Sequence, residues 1–281
     1  MRRKELFASF MLMAATMIWG LGYSIQSISS ADLGTYTIVF FKGIGGIFIL
    51  PLILFLKRHF TRKAILEGLL IGCCAFAGCA LQQKGIELSG TAKAGFLTVL
   101  YIVFVPIIQL LRGKKIPHKM ILAILIALVG LYFLCITDSF SFSIGDIYLL
   151  LCAACFAMQI IMIDEFVEHS DGLVLSLVSQ TMVAILGAAV ALCRERPFPV
   201  LSPVSWLAIL YIVFVAGAFA MTTQTVYQKD LDPGVASLLM SFESVFAALF
   251  GWLLLHQTMT VKEIFGCILL MIAIIIADLD D

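Results

Sequence analysis

The chain has 281 residues, 62% apolar and only 13% charged, and its 18 basic and 18 acidic side chains cancel at pH 7. So few charges exclude a water-soluble domain of this size, and the basic residues gather in connectors that read as topological signals facing anionic lipid, not as a nucleic-acid surface. With a mean hydropathy of +1.09, the composition is that of an all-α polytopic membrane protein.

A helix needs roughly 20 apolar residues to cross a ~30 Å hydrocarbon core. With charges, Pro and Gly as punctuation, the chain reads as ten transmembrane helices near 6–28, 35–56, 64–82, 94–111, 119–137, 145–163, 173–193, 205–228, 235–255 and 261–279. The first follows the basic Met1-Arg2-Arg3-Lys4 and is longer than a signal peptide's apolar stretch of about 7–15 residues, so it is expected to stay uncleaved. It carries Trp19 and Tyr23 at i and i+4, either core packing or an aromatic wall for a solute.

The second span is rich in Phe and β-branched residues, yet a lone strand in lipid would leave its backbone groups unpaired. The continuous apolar runs also lack the alternation of a membrane barrel. Lys42 lies about 10 Å inside this span, counting ~1.5 Å per residue. It can pair with a carboxylate, meet a substrate carboxylate, or snorkel outward. The third span carries Gly68-x-x-x-Gly72, a close-packing pattern, and ends at Gln82 and Gln83. Lys93 starts the fourth span as an interfacial anchor, and Tyr101 lies mid-span.

The fifth span packs through Ala123-x-x-x-Ala127, and the sixth and seventh carry the single amides Gln159 and Gln180. The longest connector, 194–204, contains Pro197, Pro199 and Pro203. In the eighth span Gln224, Tyr227 and Gln228 fall on one helix face, a cavity wall or a helix–helix contact. Glu243 sits about 12 Å into the ninth span, near mid-membrane. A carboxylate there needs a partner or a watery cavity, and reads as a proton acceptor, a counter-charge to substrate, or a structural group.

All eight cysteines fall in or at the end of apolar spans, including the Cys152–Cys155 C-x-x-C, and read as small packing residues. No metal or cofactor is expected. His59, His118, His169 and His256 make no H-E-x-x-H, Ser143-Ile144-Gly145-Asp146 lacks the first Gly of G-x-G-D, and no Walker A or G-x-S-x-G occurs. A catalytic role is therefore not expected. A membrane transferase would need an Asp-rich or His/Asp motif, for which Asp164, Glu165 and 278–281 are too plain, and a sensor or partner subunit would need an output domain.

Lys and Arg set orientation. With the N-terminus inside, 12 of the 18 basic residues fall in cytoplasmic connectors and 5 outside, with Lys42 in a span. Both termini are then cytoplasmic. Gln83-Lys84-Gly85-Ile86-Glu87 and Gln228-Lys229-Asp230-Leu231-Asp232 share Q-K-x-[I/L]-[E/D], 145 residues apart, each preceded by Ala-Phe-Ala. Two halves of five spans, 1–138 and 139–281, face opposite ways, and inverted repeats of this kind place a substrate site between them near the midplane.

The chain resembles the EamA-type family of the drug/metabolite transporter superfamily. Trp19-Gly20 is similar to the family's early W-G, and Ala92-Lys93-Ala94-Gly95-Phe96-Leu97-Thr98 through Phe104-Val105-Pro106 to a fourth-span pattern. Ser241-Phe242-Glu243-Ser244-Val245-Phe246-Ala247-Ala248-Leu249-Phe250-Gly251-Trp252 resembles the ninth-span signature. Ser244 stands where Pro is usual, Leu255-His256-Gln257 where Leu-Gly-Glu is usual, and Lys42 where Arg is frequent.

The resemblance implies carriage, commonly export, of small organic solutes such as amino acids, in the inner or plasma membrane. Protons are a candidate coupling ion, and a monomer or homodimer is expected in the lipid bilayer. Trp19, Tyr23, Tyr101, Gln159, Gln224 and Tyr227 are expected to converge on a cavity lined by spans 1, 3, 4, 6, 8 and 9. Glu243 and Lys42 would serve as coupling or charge partners, with spans 5 and 10 outside.

Overall fold

The computed structural model describes residues 2–30, 32–135, 143–195, 201–255 and 260–278. Helices make up the fold, with no strand among the described residues. Eight of them are long and apolar enough to cross a membrane: Arg3–Ser29, Thr35–Phe55, Arg62–Thr91, Lys93–Leu111, Ile144–Val167, Gly172–Arg194, Pro203–Asp230 and Pro233–Leu253. The helix His118–Leu134 is apolar but shorter. The division expected between 138 and 139, and residues 138–142 and 196–200 of the 138–144 and 194–204 connectors, lie outside the described residues, as do His256 and 279–281.

Several spans are built from more than one helix. After α1 (Arg2–Ser29) come α2 (Thr35–Ile44), a 3-10 stretch (Gly45–Ile49) and α3 (Leu50–Phe55). Then α4 (Arg62–Thr98) leads into α5 (Tyr101–Leu111), α6 (His118–Cys135), α7 (Ile144–Val167) and α8 (Gly172–Arg194). Next, α9 (Pro203–Leu210) passes through a π-helical stretch (Tyr211–Met221) into α10 (Thr222–Tyr227), and α11 (Pro233–Met240), α12 (Glu243–Leu255) and α13 (Val261–Asp278) complete the fold.

The third span is longer than the sequence reading placed it. Helix continues past Gln82 and Gln83, supported by the Lys84–Glu87 pair at 2.7 Å, and turns only at Gly90. Gly90 takes φ 81°, ψ 168°, a conformation essentially confined to glycine. Lys93 is not a plain interfacial anchor: its Nζ lies 3.1 Å from Asp146, which also accepts from Ser89 Oγ at 2.7 Å and the Ser143 N–H at 2.9 Å.

Small residues set the packing. α4 packs chiefly on α7 and α8, α2 on α8, α1 on α12 and α6 on α13. A Cβ at Gly68 would lie 2.7 Å from Val178 Cβ, and one at Gly72 2.7 Å from the Ser179 carbonyl. α6 and α13 meet backbone to backbone at Gly130 and Gly266. Lipid contributes little attraction between helices, so such close approach supplies the packing energy.

Polar side chains tie the two ends of the bundle. At the end opposite the basic 57–63 connector, Asp32 accepts from Ser202 Oγ (2.8 Å) and Ser205 Oγ (2.5 Å). Nearby, Glu195 accepts the N–H groups of Tyr36 (2.7 Å) and Thr37 (2.9 Å), satisfying donors that the start of α2 would otherwise leave open. At the basic end Glu67 accepts from Ser170 Oγ at 2.5 Å and lies 3.1 Å from His169 Nε2, while Arg58 meets Asp171 at 3.2 Å and Arg112 meets Glu165 at 2.6 Å.

Candidate functional site: a polar cavity among broken helices

Four spans lose regular α-geometry along their length, and charged or phenolic residues sit at those places. In the fourth, Pro106 cannot donate to Ile102, and i→i+3 bonds such as Val103 N–H to Leu100 O tighten the preceding turn. Tyr101 follows as the first residue of α5. In the ninth, Ser241 and Phe242 form a turn between α11 and α12, and Glu243 is the first residue of α12. A carboxylate there faces the favourable end of the helix dipole. In the second, Lys42 lies just before the 3-10 stretch, and its carbonyl is crossed by the π-helical part of the eighth, where a Gly217 Cβ would lie 2.4 Å from Lys42 O.

These residues line one cavity, with about 580 Å³ of atom-free space including what is open to its surroundings. Its walls are Trp19, Tyr23 and Gln26 of α1, Lys42 of α2, Cys79 and Gln82 of α4, Tyr101 of α5, and Phe156, Gln159 and Ile160 of α7, with Met221, Gln224, Met240 and Glu243. Both phenols donate to the same carboxylate oxygen, Tyr23 Oη and Tyr101 Oη each lying 3.4 Å from Glu243 Oε1. Gln82 Nε2 donates to Tyr23 Oη at 3.1 Å, so an amide, two phenols and a carboxylate form one chain of hydrogen bonds.

Lys42 interacts electrostatically with Glu243 across this space, but no direct ion pair joins them. Among the described residues nothing hydrogen-bonds the Lys42 ammonium or the Gln159 amide, although both residues are largely buried, at 9% and 6% exposure. A buried charge is costly unless a watery cavity or a partner meets it. The cavity therefore holds a bound carboxylate at one place and uncommitted donors at another.

The positions read from sequence divide. Trp19, Tyr23, Tyr101, Gln159, Gln224, Lys42 and Glu243 come together. Tyr227 does not line the cavity; its ring packs edge-on against Phe7, with centroids 5.4 Å apart. Gln224 and Tyr227 are i and i+3, about 60° apart around the helix, enough to separate a wall residue from a contact residue. Gln180 spends its amide on Ser176 (2.9 Å) and Thr222 (3.2 Å), away from the cavity. The matched Gln83 and Gln228 are buried ties, to Ser30 Oγ and to the Ile160 carbonyl, each at 2.7 Å.

Gln26, Cys79, Phe156, Met221 and Met240 were not anticipated. Only Gln26 had a usable signal, since Trp19, Tyr23 and Gln26 fall at i, i+4 and i+7 on one face. Lys42 brings in the second span, whereas α6 and α13 contribute no lining residue.

The sequence matches the model of the EamA-like transporter family in two segments, residues 6–136 and 143–277. The chain belongs to the EamA-like transporter family. An Archaeoglobus fulgidus protein described as an uncharacterized transporter is 31% identical over 280 residues, covering 98% of this chain and 87% of that one. A crystal structure at 17% identity superposes with a TM-score of 0.81 over 96% of each chain, a likeness of fold. The chain is thus a multi-pass membrane protein of a transporter family, whose cavity lies among the helices that this EamA-like chain breaks.

Proposed function

We propose that this EamA-like protein is a secondary carrier of small zwitterionic metabolites of the amino-acid class, working as an exporter in the cell membrane. Two inverted five-helix repeats, 1–138 and 139–281, would expose the cavity alternately to either side, with both termini cytoplasmic. The separate family matches at 6–136 and 143–277 support this division, as does the Q-K-x-[I/L]-[E/D] pattern in both halves.

The observation that carries the solute class is the separation of Lys42 from Glu243 within one cavity. A free ammonium donor offers a seat for a carboxylate. Glu243, with its two phenols, offers one for an ammonium, and Trp19, Phe156, Met221 and Met240 accept an apolar body. The Gln82–Tyr23–Glu243–Tyr101 chain also gives a proton a defined resting place, which suits protons as coupling ion.

Purified protein in sealed vesicles, loaded with a labelled panel of amino acids, amines and carboxylic acids, tests the reading. Zwitterions should exchange across the membrane fastest. Lys42→Gln should slow carboxylate-bearing solutes about 10-fold or more while sparing plain amines, as loss of a charge-assisted hydrogen bond of roughly 1.5–3 kcal/mol requires. Equal slowing of amines and zwitterions, or no movement of any zwitterion, would overturn it.

A further inference from the structure

A second concavity lies on the outside of the bundle and shares no lining residue with the first. It is formed where the 3-10 stretch and α3 meet α4 near Leu69 and α8 between Leu177 and Ile185, has about 680 Å³ of atom-free space including what is open to its surroundings, and is walled by Ile47, Leu50, Phe60, Leu69, Thr181 and Ile185 among others. Thr181 is its one polar lining residue, and that hydroxyl already donates to the Leu177 carbonyl at 2.7 Å. Nothing in the groove therefore asks for a polar ligand. Along α8 it runs from Leu177 to Ile185, about 12 Å, close to the depth of one leaflet of a ~30 Å core.

One end of the groove is chemically different. Phe60 belongs to the connector Lys57-Arg58-His59-Phe60-Thr61-Arg62-Lys63, so the apolar wall ends inside the most basic segment of the chain. Arg58 is engaged by Asp171 and Lys63 by Glu67. Lys57 and Arg62 have no ion pair among the described residues. Lys57 also holds the left-handed backbone position that ends α3, φ 51°, with Arg58 N–H bonded to Ile53 O and Lys57 N–H to Leu54 O. Glycine usually fills that position at lower cost, yet here a cation occupies it.

We propose that the groove binds one anionic phospholipid, its acyl chain between α3, α4 and α8 and its phosphate at Lys57 and Arg62. The apolar length matches a chain in one leaflet, and the uncommitted cations match the headgroup charge. The inference stands independently of what the central cavity carries.

Native mass spectrometry of the purified full-length protein, titrated with phosphatidylglycerol or with phosphatidylcholine of the same chains, tests it. Phosphatidylglycerol should occupy one site in preference. The double variant Lys57→Gln/Arg62→Gln should lower that affinity by roughly 10-fold or more, given the usual attraction per surface cation. Filling the groove with Ile47→Trp/Ile185→Trp, at positions 53% and 58% exposed, should weaken binding with every cation intact. Glycerol phosphate should not displace the lipid. Equal binding of both lipids to the unaltered protein would overturn the proposal. So would unchanged phosphatidylglycerol binding in the Trp pair, or displacement by glycerol phosphate, since either leaves only surface charge.

Discussion

Gly20 holds α1 against the start of α12, and replacing it by alanine should disturb both stability and the cavity. A Cβ there would lie 2.5 Å from Phe246 Cβ, 2.8 Å from the Glu243 carbonyl oxygen and 2.9 Å from Ala247 N. Ordinary carbon contacts are about 3.5–4.0 Å, so the two helices must part by roughly 1 Å. Two of the three atoms are backbone, and no rotamer change relieves them. Overpacking of this kind costs about 1–3 kcal/mol, against a gain of about 0.8–1.0 kcal/mol for alanine over glycine in a helix. The net expectation is a loss of up to about 2 kcal/mol.

Gly22 is the internal control. Its added Cβ would meet only the flexible end of Gln26, Nε2 at 3.4 Å, so the helix gain stands nearly alone. Thermal unfolding read by a thiol-reactive dye suits this protein, because Cys79 and Cys152 are buried and free. Gly20→Ala should melt a few degrees lower than Gly22→Ala. It should also transport poorly, since the Tyr23 phenol already sits 3.4 Å from Glu243, and a further ~1 Å breaks that hydrogen bond. Equal melting of the two variants, with transport intact in Gly20→Ala, would refute the argument.

Glu243→Gln should express normally yet lose most coupled transport, and the pH dependence of the remainder should flatten between roughly pH 5 and 8; normal, pH-sensitive transport would make the carboxylate structural. For topology, single cysteines at the exposed Lys84 and Lys115 suit labelling better than Ser202 and Ser170, whose hydroxyls are engaged by Asp32 and Glu67. In a background without native cysteines, an impermeant maleimide should label position 84 and not 115 in intact cells, and the reverse pattern would invert the orientation. Hydrogen bonds from Ser205 and Ser202 hold Asp32 below the usual carboxylate range. Because its folded value is depressed, this tie contributes fully above the ordinary carboxyl pKa and weakens only as pH falls through the lower folded value. Asp32→Asn should therefore loosen the 32–34 turn at neutral pH, seen as faster amide exchange there, while the unaltered chain stays protected to about pH 4.

What the sequence made legible was whatever the bilayer enforces. Hydrocarbon admits few solutions, so continuous apolar runs imply helices, and connector charges mark most of their ends. The missed extension of α4 has the same root. Gln83, Lys84 and Glu87 look like a connector because they are polar, but polarity at a membrane surface does not stop a helix. The stop is made by Gly90, whose left-handed backbone no hydropathy pattern reports. The break at Glu243 was hidden for a similar reason, since neither Ser241 nor Phe242 looks like a helix breaker, whereas Pro106 marked the fourth span without showing that the turn falls at Leu100.

The site was legible where isolated polarity in lipid demanded an explanation. Lys42, Glu243, Gln159 and Gln224 stood out because each is costly unless something meets it, and the cavity brings them together. At Gln180 and Gln228, where a cavity wall and a helix–helix contact were equally open readings, the amide nitrogens donate to neighbouring helices, at Thr222 and the Ile160 carbonyl. Cost identifies a group that needs a partner; only geometry says whether that partner is protein. Cys79, Phe156, Met221 and Met240 carry no such cost, so their place on the wall follows from the crossing of their helices alone. The division has a consequence for the carrier itself. Under the proposed function, groups already paired within the protein would hold the cavity's shape through a cycle, while Lys42 and Gln159, which no described residue hydrogen-bonds, would be left to bind and release a solute.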